Sequence, residues 1–160
     1  MEKIKSAVIG CGRMGAFPSD LMKKYGPNCW FPLSHIEALK ELKNVSVESI
    51  CDIDSALLKN ASEKHDIKNI YDNYNKLFSN HEIDLVSIAT RTKERFEIIQ
   101  AAIENGVRAI HIEKPLCNSI EQLKEIENIV SHNNVCLSYG TLRRYLNIYQ
   151  KAKDLVDSGR

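Results

Sequence analysis

Short, near-continuous apolar runs alternate along this chain with longer stretches in which apolar residues recur every three or four positions. The runs at 4–9, 45–51, 83–89, 107–112 and 135–139, with a shorter one at Ile70 and Tyr71, have the composition of strands covered on both faces. The stretches between them read as amphipathic helices. Ser34 and Glu37 form a capping-box pair ahead of Ile36, Leu39 and Leu42. Asp54 is placed to cap a helix over 55–64. A helix over 93–105 carries Phe96, Ile99, Ala102 and Ile103 on one face and stops at Gly106. Asn118 or Ser119 opens the next, whose stripe is Ile120, Leu123, Ile126 and Ile129 or Val130, and a last helix over 145–157 stops at Gly159. Strands alternating with helices in this order predict an α/β protein of the doubly wound Rossmann type: a mainly parallel six-stranded sheet, helices on both faces, and ligands at the carboxyl ends of the strands.

The rhythm fails once. The first strand runs into Gly10-Cys11-Gly12-Arg13-Met14-Gly15, a spacing that suits a tight turn opening a helix. Gly10 serves the turn, Gly12 leaves room for a phosphate, and Gly15 permits close packing of helix on strand. A helix begun at Gly12 meets Pro18 about six residues in, where a proline removes a backbone hydrogen bond and clashes with the preceding turn. Residues 17–32 hold three of the four prolines and the only tryptophan. We read them as an excursion carried by the first crossover helix, which leaves only the first helical turn to serve a phosphate. Tyr25, Trp30 and Phe31 are candidates for a lid over the cleft, for a partner surface, or for a cover over the sheet edge that the broken helix leaves bare.

Composition narrows the partners. A chain of 160 residues, 43% hydrophobic and 27% charged, suits one folded domain without disorder. A net charge of +1, without blocks of one sign, gives no field that draws nucleic acid or anionic membrane. No apolar run approaches the ~20 residues of a membrane span, and the first residues carry no signal-peptide pattern, so a cytoplasmic protein is expected. Cys11, Cys29, Cys51, Cys117 and Cys136 are odd in number and never spaced C-x-x-C; they read as structural thiols, with no metal site. His35, His65, His81, His111 and His132 are scattered, none is assigned to catalysis, and His111 reads as a packed strand residue.

The acid that meets the adenosine ribose in such folds ordinarily lies about 20 residues beyond the glycine motif. Asp52, at the end of the second strand, lies about twice as far, and removing the excursion restores the interval. A carboxylate there accepts from ribose hydroxyls and repels a 2′-phosphate, which favours NAD over NADP. Alternatively Asp52 is a loop acid beside the helix cap Asp54; both roles can hold. The fifth strand ends in Glu113-Lys114-Pro115, either a surface ion pair or a charged pair facing a ligand at a strand end.

Taken together, Gly10 to Gly15, Cys51-Asp52-Ile53-Asp54, Ser87-Ile88-Ala89-Thr90 and Glu113-Lys114-Pro115-Leu116 resemble the N-terminal half of the glucose-fructose oxidoreductase and inositol dehydrogenase (Gfo/Idh/MocA) family. The tail from Tyr139 through Arg143, Arg144 and Tyr145 to Gly159 resembles that family's passage out of its nucleotide domain, so the resemblance covers essentially the whole chain. It implies an NAD(P)-dependent oxidoreductase that moves a hydride at a hydroxyl-bearing carbon of a sugar, cyclitol or sugar derivative. It implies cofactor contacts at Gly10, Cys11, Gly12, Arg13, Met14, Gly15, Asp52, Ile53, Ala89, Thr90, Arg91, Glu113, Lys114 and Arg144. It also makes Lys114 catalytic: an ammonium that meets the substrate hydroxyl stabilises a developing alkoxide and relays its proton. Glu113 would position cofactor or lysine.

Two departures matter. The family commonly has proline or asparagine after Ala-Thr and a histidine soon after, whereas Arg91-Thr92 follows here and no histidine precedes Phe96. Arg91 then meets an anionic substrate or the cofactor diphosphate, or is a solvated arginine at a helix start. The family also continues into a second, sheet-containing domain that supplies much of the substrate pocket, commonly an acid-base histidine, and the oligomer interface. Residues 1–160 are therefore expected to be the NAD(P)-binding domain without that substrate domain, binding cofactor weakly and turning over little. The substrate is expected to be a small sugar-like molecule, and homo-oligomers to form only in a full-length protein. The alternative is a non-catalytic dinucleotide-binding or protein-interaction module on the same core.

Overall fold

A computed structural model describes residues 3–160; Met1, Glu2 and the side chains of Cys29 and Leu142 lie outside the description. The strands are β1 (Ile4–Ile9), β2 (Val45–Cys51), β3 (Asn69–Tyr71), β4 (Leu85–Ile88), β5 (Ala109–Ile112) and β6 (Cys136–Tyr139). The helices are α1 (Asp20–Tyr25), α2 (His35–Glu41), α3 (Ser55–His65), α4 (Tyr74–Asn80), α5 (Thr92–Glu104), α6 (Ile120–His132) and α7 (Asn147–Asp157). All strands pair in parallel in the order β3-β2-β1-β4-β5-β6. The order reverses between β1 and β4, where sheets of this kind open a crevice at their carboxyl edge.

Two apolar clusters sandwich the sheet. Ile9, Val86, Ile88, Ile110 and Ile112 meet Leu77, Ile98, Ile99 and Ala102 on one face. Val8 and Ile50 meet Ile36, Leu39, Leu58 and Ala61 on the other. Burying each large aliphatic side chain contributes about 1.5–3 kcal/mol, so the strand ends sit on a stiff platform.

Several elements differ from the pattern-based reading. The apolar rhythm does not announce α4, which buries only Leu77 and Phe78 and is started by the Asn73 side chain accepting from Asn75 N–H. Seven residues are too few to repeat a helical period. The buried face of α5 is Arg95, Ile98, Ile99, Ala101 and Ala102, rotated from the expected stripe, with Phe96 and Ile103 at its margin. In α6 only Ile126 is buried while Ile120 and Leu123 stay exposed, because this helix links the last two strands at the sheet edge. The last helix begins at Asn147, after a 3-10 turn at Leu142–Tyr145.

Beyond the glycines the helix completes one turn, with the N–H groups of Ala16 and Phe17 donating to Gly12 O at 2.9 and 3.0 Å. The chain then leaves at the buried Pro18, passes through α1 and a 3-10 turn at Asn28–Trp30, and returns at Ser34. On its return His35 N–H donates to Met14 O at 2.8 Å and Ile36 N–H to Gly15 O at 3.0 Å. These are the bonds an unbroken helix would make four residues back. The carbonyl of Ala16, stranded at the break, accepts from Lys64 Nζ at 2.6 Å and is 3.1 Å from His65 Nε2. Ser34 caps the restart by accepting from Glu37 N–H.

Candidate dinucleotide site

At the carboxyl edge the residue just past each of five strands adds one more ladder bond. Asp52 N–H donates to Tyr71 O, Gly10 to Cys51 O, Ala89 to Ile9 O, Glu113 to Ile88 O and Gly140 to Ile112 O, at 2.8 to 3.1 Å. The sheet itself thus aligns these five residues in one row.

The half of the row from β3 to β1 is shaped by backbone. Gly10 has φ +98°, and a Cβ on it would lie 2.7 Å from the Ala89 carbonyl carbon. A Cβ on Gly15 would lie 1.8 Å from Gly10 O. The fold demands both glycines. Gly12 differs, because a Cβ there would meet nothing within 4 Å. Beside this open space Asp52 is pinned: Oδ2 accepts from Cys11 N–H at 2.6 Å and Oδ1 from Asp54 N–H at 2.9 Å. Each oxygen keeps a further lone pair for a ligand. Asp54 itself caps α3, accepting from Ala56 and Leu57 N–H, so the two acids divide their roles. A cleft of about 470 Å³ opens here, lined by Gly10, Gly12, Arg13, Asp52, Ile53, Ala89, Thr90 and Arg91 among others.

The Cys11 side chain points away from this cleft into the core. Burial, followed by the charge of Asp52, pushes the thiols of Cys11 and Cys51 up to about 12, so neither is a thiolate nucleophile at neutral pH. A dinucleotide fits these features: space that a Cβ on Gly12 would fill, and beside it a fixed carboxylate with acceptors to spare.

The half from β4 to β6 is shaped by side chains. Ser87, His111 and Ser138 stand in register across β4, β5 and β6. Above them His35 Nδ1 lies 2.8 Å from Ser87 Oγ, and His35 Nε2 lies 3.3 Å from Glu113 Oε1. Glu113 Oε2 accepts from Lys114 N–H at 3.1 Å. The His35 hydrogen bond holds the Glu113 carboxyl below the usual carboxylate range, against the opposing effect of burial. His111 packs edge-on to His35, with ring centres 5.2 Å apart, and its Nδ1 lies 3.2 Å from Ser138 Oγ. Burial lowers its pKa below the ordinary imidazole value.

Arg95 clasps this half from beneath. Its Nε and Nη2 donate to Thr90 O at 3.1 and 2.6 Å, and its Nη1 donates to the carbonyls of Glu113 and Pro115. Only 4% of the residue is exposed, and burial pulls the guanidinium below its usual pKa. One side chain therefore joins the loop after β4 to the loop after β5.

A second cavity of about 690 Å³ lies on this side, with Met14, Trp30 and Tyr145 on its walls and Ser87, His35 and Glu113 among its lining. Arg13 borders both cavities. Lys114 and Arg144 are exposed and border neither, and Gly15 is packed beneath Gly10. The structure thus gathers eight of the residues singled out from sequence around the first cleft, and Met14 and Glu113 around the second.

His35 and Arg95 escaped the sequence reading, although both leave a trace. Arg95, Ile98, Ile99 and Ala102 fall at i, i+3, i+4 and i+7, which places an arginine on the apolar stripe of a helix. His35 stands four residues before Leu39, on the buried side of α2. Among the described residues no group of three or more His, Cys, Asp or Glu could hold a metal ion, and no helix is long and apolar enough to cross a membrane.

Residues 4–141 match the Gfo/Idh/MocA family, described as an oxidoreductase family with an NAD-binding Rossmann fold. D-apiose dehydrogenase of Rhizobium rhizogenes is 25% identical over 159 residues, which are 99% of this chain and 41% of that protein. Crystalline myo-inositol 2-dehydrogenase from Lactobacillus plantarum superposes with a TM-score of 0.78 at 25% identity, over 99% of this chain and 42% of that one. The WlbA dehydrogenase of Chromobacterium violaceum, solved with NADH and UDP-GlcNAcA, superposes with a TM-score of 0.81 at 22% identity, over 100% of this chain and 41% of that one. The chain spans about two fifths of the length of the curated relatives it matches.

Proposed function

The chain belongs to the Gfo/Idh/MocA oxidoreductase family, whose Rossmann fold binds NAD, and we propose that it is the cofactor-binding domain of a dehydrogenase for a sugar, cyclitol or sugar derivative. The observation that carries this reading is the open space over Gly12 beside the pinned Asp52. In it the backbone around Gly12 and Arg13 would hold the diphosphate, and the free lone pairs of Asp52 would accept from the adenosine ribose, where the carboxylate disfavours a 2′-phosphate and hence NADP. Ile53, Ala89, Thr90 and Arg91 would flank the cofactor along the first cleft, Met14 and Glu113 would serve its far end from the second cavity, and the exposed Lys114 and Arg144 would reach it from outside both cavities. Bound NAD supplies the hydride acceptor or donor. In the reducing direction the Lys114 ammonium would hold the substrate carbonyl oxygen, stabilise the charge that develops on it and give it a proton; in the oxidising direction the deprotonated amine would take the hydroxyl proton.

In keeping with relatives more than twice as long, a second domain supplies the opposite wall of the substrate pocket, an acid-base group and the surfaces of a homo-oligomer. Residues 17–32 are then an insertion in the first crossover, and the whole protein works in the cytoplasm on a small sugar-like molecule. Titrating the folded chain with NADH, followed by fluorescence or calorimetry, tests the reading. Weak binding that Gly12→Ala removes without unfolding the chain is expected. A folded chain that takes up no NADH at millimolar concentration overturns it.

A further inference from the structure

We infer that His35 is a positioning residue that ties the glycine turn to Lys114 by holding Glu113, an inference that rests on the role proposed for Lys114. His35 is hydrogen-bonded to both regions. Its backbone N–H donates to Met14 O at 2.8 Å, within the turn. Its ring lies 3.3 Å from Glu113 Oε1, and the other oxygen of that carboxylate accepts the backbone N–H of Lys114 at 3.1 Å.

Donor and acceptor roles follow from chemistry. An ionised Glu113 can only accept, so Nε2 carries a proton; in the neutral ring Nδ1 is an acceptor, which the Ser87 hydroxyl 2.8 Å away can fill. A neutral ring satisfies every group in the series. The order serine, histidine, carboxylate is also that of a nucleophilic triad. However, Ser87 is 2% exposed, and its hydroxyl at the floor of the second cavity is already engaged by the His35 ring, so it serves the series as a hydrogen-bond partner of that ring. The series of bonds therefore acts at its other end, on Glu113.

What it does there is keep adjacent charges apart. A glutamate next to a lysine is free to fold onto the ammonium, yet among the described residues Lys114 makes no ion pair. Glu113 is instead turned into the second cavity, toward His35 and over Gly140, where an added Cβ would come within 3.3 Å of Oε1. The Lys114 side chain is left exposed, and its backbone is fixed by the carboxylate that His35 orients. A shift of the glycine turn moves the His35 backbone and, with it, the ring that holds Glu113.

The ¹⁵N-labelled chain, titrated with NADH while the amides of Met14 and Lys114 are followed, tests this. In the unsubstituted chain both amides should respond, and ring ¹⁵N spectra should show the His35 proton on Nε2. His35→Leu keeps volume without the donor and should cut the Lys114 response at least threefold while Met14 still responds. Glu113→Gln should reproduce that loss, and His35→Gln, which retains a donor, should restore the response. Without NADH, the Lys114 amide should exchange at least tenfold faster in His35→Leu and Glu113→Gln. A His35 proton on Nδ1, or a Lys114 amide whose exchange and response are unchanged in both variants, overturns the inference. If NADH moves neither amide of the unsubstituted chain, the cofactor reading fails, and ring protonation with amide exchange still decides the His35 to Glu113 link.

Discussion

The two halves of the carboxyl edge are built by different means. From β3 to β1 the site is backbone and a single acid: Gly10 and Gly15 pack at distances no side chain could share, and two main-chain N–H groups hold Asp52. From β4 to β6 it is a side-chain lattice, in which His35 from α2 and Arg95 from α5 reach the loop after β5 from opposite sides of the sheet. A site made of backbone is specified by where glycines fall. A site made of side chains is specified by which elements the sheet brings together.

The sharpest way to break the comparison is to add one methyl group in each of two places. Gly15→Ala puts a Cβ 1.8 Å from Gly10 O; relieving it should cost about 3 kcal/mol or more, read as a collapse of the urea midpoint. Gly12→Ala meets nothing within 4 Å. Its effect on stability should stay within about 1 kcal/mol, since alanine is the better helix former, while NADH affinity falls at least about tenfold. Equal NADH affinity with and without the methyl group would mean that the space over Gly12 is not where the diphosphate lies.

In the other half the comparable loss is of donors. Arg95→Met leaves carbonyls of Thr90, Glu113 and Pro115 without the guanidinium that serves them. The expected cost is about 2–4 kcal/mol, because half-buried acceptors lose the charged donor that a buried guanidinium gives them. Arg95→Lys should recover part of it, having the charge without the planar fork. A midpoint unchanged by Arg95→Met would show that water replaces the clasp.

This contrast explains what could be read from the chain. The six strands follow from short apolar runs, and Gly10, Gly12, Gly15, Asp52 and Asp54 are spaced by local geometry once residues 17–32 are set aside. His35 and Arg95 depend on tertiary partners 78 and 18 to 20 residues away. In sequence each is a polar residue on an apolar helical face, a mark that many solvated residues imitate. The helix α4 hides for a different reason, being capped by a single asparagine and too short to show its period.

Helix starts in the two halves should respond alike. Asp54 serves two N–H groups at the head of α3, and Ser34 serves one at the head of α2. Replacing either by alanine should cost about 1 kcal/mol in urea denaturation. Ser34→Ala carries the additional expectation of disturbing His35, the next residue, so its Lys114 amide should shift where that of Asp54→Ala does not. A shift in both would tie the lysine loop to the whole fold rather than to α2.

The smallest expected effect is on pH dependence, and each half has one histidine whose pKa burial lowers. His65 stands beside the helix break, facing Ala16 O, Lys64, Lys40 and Glu37; His111 faces His35 and Glu113. Burial lowers both below their ordinary value of 6.5. As pH falls through that value the unfolded chain takes up these protons before the folded one. Stability is therefore fully present above 6.5 and declines below it, with the unfolded state binding the excess protons. Glu113, also lowered, adds a second loss only as pH falls below its ordinary value of 4.5. The urea midpoint should thus be lower at pH 5.5 than at 7.5. His65→Gln, which keeps a donor for Ala16 O, and His111→Gln should each remove part of that difference. A slope that survives both substitutions would place the proton uptake on neither half of the edge.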